Sequence, residues 1–563
     1  MSTTKKSVQS LVKICELKDI KNIVLSPGSR NAPLAIEFDN NKNFHHFQIT
    51  DERVAGFFAL GLAQQSRIAS VICCTSGTAT LNYAPAIAEA YYQRIPMIIL
   101  TADRPVQWID QGAGQSLRQQ NIYDNYVLKS FQLPQSIHTK EDQWYNDRII
   151  NEAINLAHSA VPGPVHINIP LEEPLYDREA NDHLPKIITP VETRRTLTNS
   201  SLKELQAIWA SHDKKMIICG MLPNNDVINK KINQLAEDPS VVVLSESHSN
   251  VNGDIIFQCI DRLIESFDEG KLDDFTPDLL LSFGHSIISK KVKALLHRMS
   301  IKSHWHVDSI NDPNDTFQHL THHIKMAPVD FLTTFIPIEH HIPFDFQKTY
   351  NEREVACCEA HDLFIRDAAF SDLKAFSLIL PELPFNSMLQ MGNSASVRYV
   401  QLFNQRKDIS YFANRGVSGI EGCTSTACGA AHHYLGITTL VTGDLSFLYD
   451  SNGLWHKYIN PNLRIIIINN KGGGIFRIIK GPSDTPQLSS YFEASHDMTG
   501  EKNAEKFDLE YLTAENENEL SEVLKSFYNT SEKAKILEVF TPPVINDKVL
   551  KDYFSFIYKR TKV

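Results

Sequence analysis

No stretch of this chain approaches the roughly 20 consecutive apolar residues that a bilayer-spanning helix needs, so no transmembrane segment is expected. Residues 1–20 are polar and amphipathic and lack the apolar core of a secretory signal. The nine cysteines form no C-x-x-C pair, which argues against a zinc site of common spacing and against a disulfide framework. Cys423 and Cys428 are read as core residues. A reducing, cytoplasmic setting fits this usage. Also missing is any block of Lys or Arg long enough to grip nucleic acid, and the formal net charge is −11. An acidic protein that handles anionic substrates must therefore gather its arginines locally. The adjacent histidines His322-His323 and His432-His433 are expected at the surface or in the core, because neighbours in sequence point apart on a helix or strand.

What is present is a long, regularly alternating pattern. A length of 563 residues is too much for one core and suggests three domains. Apolar, β-branched runs alternate with helical periodicity, the mark of parallel α/β sheets. In the first third the strand-like runs are Asn22-Ile-Val-Leu25, Ser70-Val-Ile-Cys-Cys74, Pro96-Met-Ile-Ile-Leu100 and Val165-His-Ile-Asn-Ile169. The middle third has Met216-Ile-Ile-Cys219, Val241-Val-Val-Leu244, Leu279-Leu-Leu281 and Trp305-His-Val307. The last third has Met388-Leu-Gln390, Ser410-Tyr-Phe412, Thr439-Leu-Val441, Ile465-Ile-Ile-Ile468 and Ile536-Leu-Glu-Val539. Poorly patterned stretches at Asp177 to Ser201 and Pro337 to Arg353 separate them. The expectation is three successive doubly wound, mainly parallel-sheet α/β domains at 1–180, 190–340 and 350–563.

Ligands of such sheets sit beyond the C-terminal strand ends. The unusual residues fall there. Asp444 and Asn470 each close an apolar run, and the positions between them suffice for one helix. A carboxylate, an amide oxygen and free carbonyls in Lys471-Gly-Gly-Gly474 suit Mg²⁺, a hard cation that shares oxygens with a diphosphate. The plainer reading is two strand-end turns. Glu52 lies at the start of a helix behind the capping candidates Thr50 and Asp51. It is either a favourable acid in a first turn or a carboxyl that shares a proton with a bound ring. Arg30, Arg104, Arg118, Arg398 and Arg415 lie in or just after strand-end loops. Each alone reads as a structural ion pair, whereas several on one edge suit a polyanionic substrate.

Six blocks in order then resemble one family: Ser26-Pro-Gly-Ser-Arg-Asn-Ala-Pro-Leu34, Thr75-Ser-Gly-Thr-Ala79, Thr101-Ala-Asp-Arg-Pro105, Asn414-Arg-Gly-Val-Ser-Gly-Ile-Glu-Gly422, Gly443-Asp-Leu-Ser446 and Asn469-Asn-Lys-Gly-Gly-Gly-Ile-Phe476. They resemble the MenD family, the 2-succinyl-5-enolpyruvyl-6-hydroxy-3-cyclohexene-1-carboxylate synthases of menaquinone biosynthesis, a branch of the thiamine-diphosphate enzymes. The resemblance implies a transferase that uses thiamine diphosphate with Mg²⁺, or Mn²⁺ in its place. It would decarboxylate 2-oxoglutarate and add the resulting succinyl-semialdehyde carbanion to isochorismate in a 1,4 sense. By position, Glu52 would activate the cofactor, and Asp444, Asn470 and the carbonyl of Gly472 would hold the metal. Ile420, Leu445, Ser446, Ile475 and Phe476 would line the cofactor pocket. Arg30, Arg104, Gln115, Lys290, Lys291, Ser394, Arg398 and Arg415 would bind substrate carboxylates and hydroxyls. The resemblance also implies a homodimer or homotetramer whose sites lie between subunits.

One position departs from the wider thiamine-diphosphate pattern and two from the family pattern. Leu445 follows Asp444 where thiamine-diphosphate enzymes commonly have Gly. Gly114 precedes Gln115 where Asn is frequent, and Lys291 stands where Arg is frequent. The nearest rival reading is another thiamine-diphosphate 2-oxoacid decarboxylase or carboligase. Those enzymes lack the Ser-Pro-Gly-Ser-Arg and Asn-Arg-Gly loops.

Overall fold

The computed structural model describes residues 1–180, 183–337, 345–478 and 481–562. The expected domain limit at residue 340 lies outside them, as do residues 338–344 of the poorly patterned stretch from Pro337 to Arg353. Three six-stranded sheets follow one another along the chain, and every strand pair within them is parallel. From edge to edge the first sheet runs His45–Gln48, Asn22–Leu25, Ser70–Cys74, Met97–Asp103, Pro164–Pro170, Ser130–Gln132. The third runs Ser410–Ala413, Met388–Met391, Thr438–Gly443, Leu463–Asn469, Lys535–Phe540, Glu510–Ala514. Numbered within each sheet, both read 2-1-3-4-6-5, so the two share one topology. The middle sheet runs Ile256–Phe257, Val241–Ser245, Lys215–Cys219, Leu279–Phe283, Ser303–Val307, Leu320–Ile324, which reads 3-2-1-4-5-6, the order of a Rossmann sheet.

Both faces of a parallel sheet are covered, so its strands carry unbroken apolar runs whose side chains divide by turns between two cores. Val24, Ile72, Cys74 and Ile99 enter one core, while Ile23, Val71, Cys73, Ile98 and Leu100 enter another. The first of these cores also takes Leu440, Ile465 and Ile467 from the third sheet, so the outer two sheets share an interior. Burial of each such Val, Leu or Ile side chain contributes about 1.5–3 kcal/mol. The helices Glu52–Ser66 and Cys423–His433 cross in this shared core. Glycine permits their close approach: a Cβ on Gly61 would lie 2.1 Å from the Thr426 carbonyl oxygen, and one on Gly429 2.0 Å from that of Phe58.

Within the three six-stranded sheets, five strands go beyond the sequence expectation: His45–Gln48, Ser130–Gln132, Ile256–Phe257, Leu320–Ile324 and Glu510–Ala514. All five lie at sheet edges. An edge strand has one neighbour and is only partly covered, so it needs no unbroken apolar run. His322 and His323 fall on one of them.

The middle unit is fastened to both others. Arg94 donates to both oxygens of Asp308 at 2.6 Å. Asn250 exchanges hydrogen bonds with the backbone of Tyr411, at 3.0 and 2.9 Å. Ser286 Oγ donates to the Arg415 carbonyl at 2.8 Å, which sets a loop of the middle sheet against a C-terminal strand end of the third.

Candidate active site

At the edge of the first sheet, Asp51 caps the helix Glu52–Ser66, its carboxylate accepting from the amides of Arg53 and Val54. The cap places Glu52 as the first helical residue, half-buried, with Oε2 accepting from Asn82 Nδ2 at 3.2 Å. Arg30 is buried; its Nη1 donates to the Leu171 carbonyl at 2.9 Å and its Nη2 lies 3.2 Å from Glu173 Oε1. Burial, and then the like charge of Arg104, weaken its hold on its proton. Arg104 Nε donates to the Gly114 carbonyl at 3.1 Å. Gln115 is exposed on a backbone with φ of 53°, beside the Gly77 turn. Arg118 leaves this group for an exposed ion pair with Asp110.

The edge of the third sheet carries the second set. Asp444 follows the strand Thr438–Gly443 and opens the helix Asp444–Tyr449. Its Oδ1 accepts from the Leu445 amide at 2.6 Å and its Oδ2 from the Gly472 amide at 2.9 Å, with His496 Nε2 3.4 Å away. Burial pushes its carboxyl up to about 6, against the pull of those amides and of His496. Asn470 follows the strand Leu463–Asn469. Its Nδ2 donates to Asp372 at 2.9 Å, while its buried Oδ1 has no partner. Gly472 has φ of 145°, and a Cβ there would lie 2.6 Å from the Glu493 carbonyl oxygen, so the loop requires glycine. Asn470, Gly472, Gly473, Gly474 and His496 line a cavity of about 280 Å³. Ser446 Oγ donates to the Ile420 carbonyl at 2.8 Å, tying those two positions together. Ile475 is buried, and the Phe476 ring lies 5.8 Å from that of Phe492.

A cation cluster follows the next two strands of this sheet, Met388–Met391 and Ser410–Ala413. Arg415 Nη1 donates to Asn393 Oδ1 at 3.3 Å, and Arg398 donates to the carbonyl of Ser394, which has φ of 69°. Burial weakens the proton hold of both guanidinium groups, and Arg398 lowers that of Arg415 further. The middle unit faces them with Glu246. This buried carboxyl accepts from the amides of Ile288 and Ser289 at 2.7 Å each. Burial pushes it up to about 7, while those amides and the Arg415 charge pull the other way. Lys293 is near enough to feel Glu246, Arg415, Lys290 and Arg398.

Lys290 is exposed at the start of the helix Lys290–Arg298. Lys291 is turned elsewhere. Its ammonium pairs with Glu265 at 2.5 Å and sits 3.4 Å from the centre of the Phe554 ring. Helical phase explains the difference, since positions three apart share a face and Lys293 sits three after Lys290. Glu246, Lys293, Asp372 and His496 were not singled out from the sequence. Glu246 carried the same signal as Asp444, an acid just past a β-branched run; the other three carried no local signal.

Among the described residues no hydrogen bond or ion pair joins Glu52, Arg30 or Arg104 to Asp444, Asn470, Arg398 or Arg415. These candidate residues thus fall into two groups, one on each outer sheet.

Residues 5–122 match the family described as thiamine pyrophosphate enzyme, N-terminal TPP binding domain, and residues 189–367 match the middle domain of thiamine pyrophosphate. The chain is 42% identical to a 2-succinyl-5-enolpyruvyl-6-hydroxy-3-cyclohexene-1-carboxylate synthase of Flavobacterium johnsoniae, over 97% of this chain and 98% of that one. A synthase of the same name from Flavobacterium psychrophilum is 43% identical over 97% and 98%, and one from Porphyromonas gingivalis 39% over 98% and 97%.

Proposed function

Because the chain belongs to the 2-succinyl-5-enolpyruvyl-6-hydroxy-3-cyclohexene-1-carboxylate synthases, a family of thiamine-diphosphate enzymes, we propose that its two half-sites combine across a subunit boundary into one active site. It is a transferase that forms a carbon–carbon bond in menaquinone biosynthesis. Its donor is 2-oxoglutarate and its acceptor isochorismate. Thiamine diphosphate, when bound, supplies the electron sink for loss of CO₂ from a 2-oxo acid and for transfer of the remaining carbons. No helix among the described residues is long and apolar enough to cross a membrane.

In this reading residues 350–563 hold the diphosphate and its metal, residues 1–180 hold the pyrimidine ring, and residues 190–340 close the substrate side. Asp444, the Asn470 amide oxygen and the Gly472 carbonyl would hold Mg²⁺, or Mn²⁺ in its place. All three are the oxygen donors that such a cation prefers. The observation that carries the reading is the Asn470 Oδ1, a buried oxygen without a partner at the head of the loop whose Gly472 amide holds the Asp444 carboxylate. Leu445, Ser446, Ile420, Ile475 and Phe476 shape the pocket around the cofactor, and Glu52 holds a proton against its ring from the other subunit. A homodimer is the smallest assembly that completes the site; a homotetramer holds two such pairs.

The two substrates carry two carboxylates each, which accounts for guanidinium groups collected on a chain of negative net charge. Arg30, Arg104 and Gln115 approach from the first unit, and Ser394, Arg398, Arg415 and Lys290 from the others, while Lys291 is held away by Glu265 and Phe554. Glu246 offsets part of the cationic charge while the pocket is empty. Arg415→Ala is expected to raise KM for a dicarboxylate substrate by about 10- to 100-fold, the equivalent of one lost charge-assisted hydrogen bond. Cofactor binding, followed by calorimetry, should stay as in the parent; steady-state kinetics unchanged for both substrates would remove Arg415 from the pocket.

The whole assignment is tested by supplying 2-oxoglutarate and isochorismate with thiamine diphosphate and Mg²⁺. Mass spectrometry should find the coupled product together with an equal amount of CO₂. Pyruvate serves as the control donor. Turnover of pyruvate in place of 2-oxoglutarate would instead favour another 2-oxoacid decarboxylase or carboligase.

A further inference from the structure

We propose that Asp372 sets which way the Asn470 amide faces, and so presents its oxygen to the metal; this rests on the reading of Asn470 as a metal ligand. Asp372 opens the helix Asp372–Ile379, behind the capping residue Ser371. It is buried together with Thr541 and Asn546. The three side chains form a closed circuit whose direction is fixed by a backbone group.

The Asp372 amide donates to Asn546 Oδ1 at 2.8 Å. A backbone N–H has only one polarity, so the oxygen of Asn546 must face it and the nitrogen must face away. That Nδ2 lies 3.5 Å from Thr541 Oγ1, which therefore receives from it. The Thr541 hydroxyl sends its own proton to Asp372 Oδ1 at 2.6 Å. The remaining oxygen, Oδ2, accepts from Asn470 Nδ2 at 2.9 Å.

An amide turned the other way would set oxygen against oxygen at Asp372 and offer the metal an NH₂ group, which has no lone pair for it. In the empty protein the correct turn leaves Asn470 Oδ1 buried and unpaired, at a cost in free energy, and a bound cation removes that cost. Asp372 is thus a positioning residue. It acts on the ion only through Asn470, as outer partners of metal ligands commonly do.

The circuit makes an unusual demand on its variants. In Asp372→Asn the Thr541 proton still selects the oxygen of the new amide. The new NH₂ group then faces Asn470 and calls for its oxygen, which turns the Asn470 nitrogen toward the metal. Asn470→Asp alone sets two carboxylates face to face. In the double variant D372N/N470D, the new NH₂ group donates to one carboxylate oxygen and leaves the other for the cation.

The experiment is a titration of the full-length protein with Mn²⁺ in the presence of thiamine diphosphate, read by calorimetry and by the paramagnetic signal of free Mn²⁺. Asp372→Asn is expected to bind about 10- to 100-fold more weakly, the usual effect of losing an outer partner of a ligand. The double variant should return close to the parent. A purely structural role for Asp372 predicts no such recovery, so a folded double variant that still fails to bind overturns the proposal. Should Asp372→Asn not fold, the double variant alone decides, by the same two outcomes. Parent-like binding by Asp372→Asn, with loss in Asn470→Ala, overturns this inference and leaves the metal site standing. Parent-like binding by Asn470→Ala overturns the metal assignment itself and this inference with it.

Discussion

Asp444→Ala is expected to abolish Mg²⁺-dependent retention of thiamine diphosphate, with apparent cofactor affinity falling by more than the roughly 10- to 100-fold typical of an outer-partner change. The carboxylate is the only formal negative charge among the three groups assigned to the ion. It sits 3% exposed, where water cannot stand in for it. Its two oxygens accept from the Leu445 and Gly472 amides, which fix the carboxylate against the Gly472 loop. Removing it also frees the Gly472 amide, so loss of binding could come from a displaced loop. Asp444→Asn separates the causes. It keeps the side chain's size and an acceptor for one of those amides, and gives up the charge and the second acceptor. Calorimetry with Mg²⁺ and with a chelator should give a large difference for the parent and none for either variant. A variant that keeps the parent's metal-dependent difference would place the ion elsewhere.

How much of this was legible beforehand depends on how local each signal is. Asp444 and Asn470 stood out because each follows a strand buried on both faces, where an unbroken apolar run ends abruptly on a polar residue. The central strands were legible for the same reason, and of the six edge strands only Ser410–Ala413 was. His45–Gln48 and Leu320–Ile324 carry two histidines each on a partly exposed edge, and no run marks them. Lys290 and Lys291 look alike in sequence, yet a single residue step along the helix, about 100° of rotation, sends them apart, and Lys293, nearly one turn on from Lys290, comes round instead. Glu246 has the Asp444 signature, but its importance depends on Arg398 and Arg415, which arrive from another sheet. Asp372 is the extreme case. Its partners Asn470, Thr541 and Asn546 lie 98, 169 and 174 residues away, so no window of sequence holds the circuit. Chemistry written at strand ends is readable, whereas chemistry assembled between units needs the fold.

Glu52→Gln is expected to lower turnover by about 10²- to 10⁴-fold while thiamine diphosphate still binds, the range for a missing proton-transfer group. Glutamine has the same shape and accepts from Asn82 as glutamate does, but it cannot hold and return a proton. Loss of an acid from the first helical turn costs only about 0.3–1 kcal/mol, so the fold should persist. The half-site arrangement adds a sharper expectation. Glu52 and Asp444 would serve any one site from different chains, so Glu52→Gln and Asp444→Ala are each inactive alone for different reasons. When the two proteins are unfolded together and reassembled at random as dimers, about half the pairs are hybrids, each with one site that holds both intact residues. Mixed samples should therefore regain about a quarter of the parent's activity, counted over all sites. Mixing that restores nothing, while native mass spectrometry reports hybrids, would mean that both residues act from one chain. The separation of the two half-sites in the protomer would then have to close by movement within it.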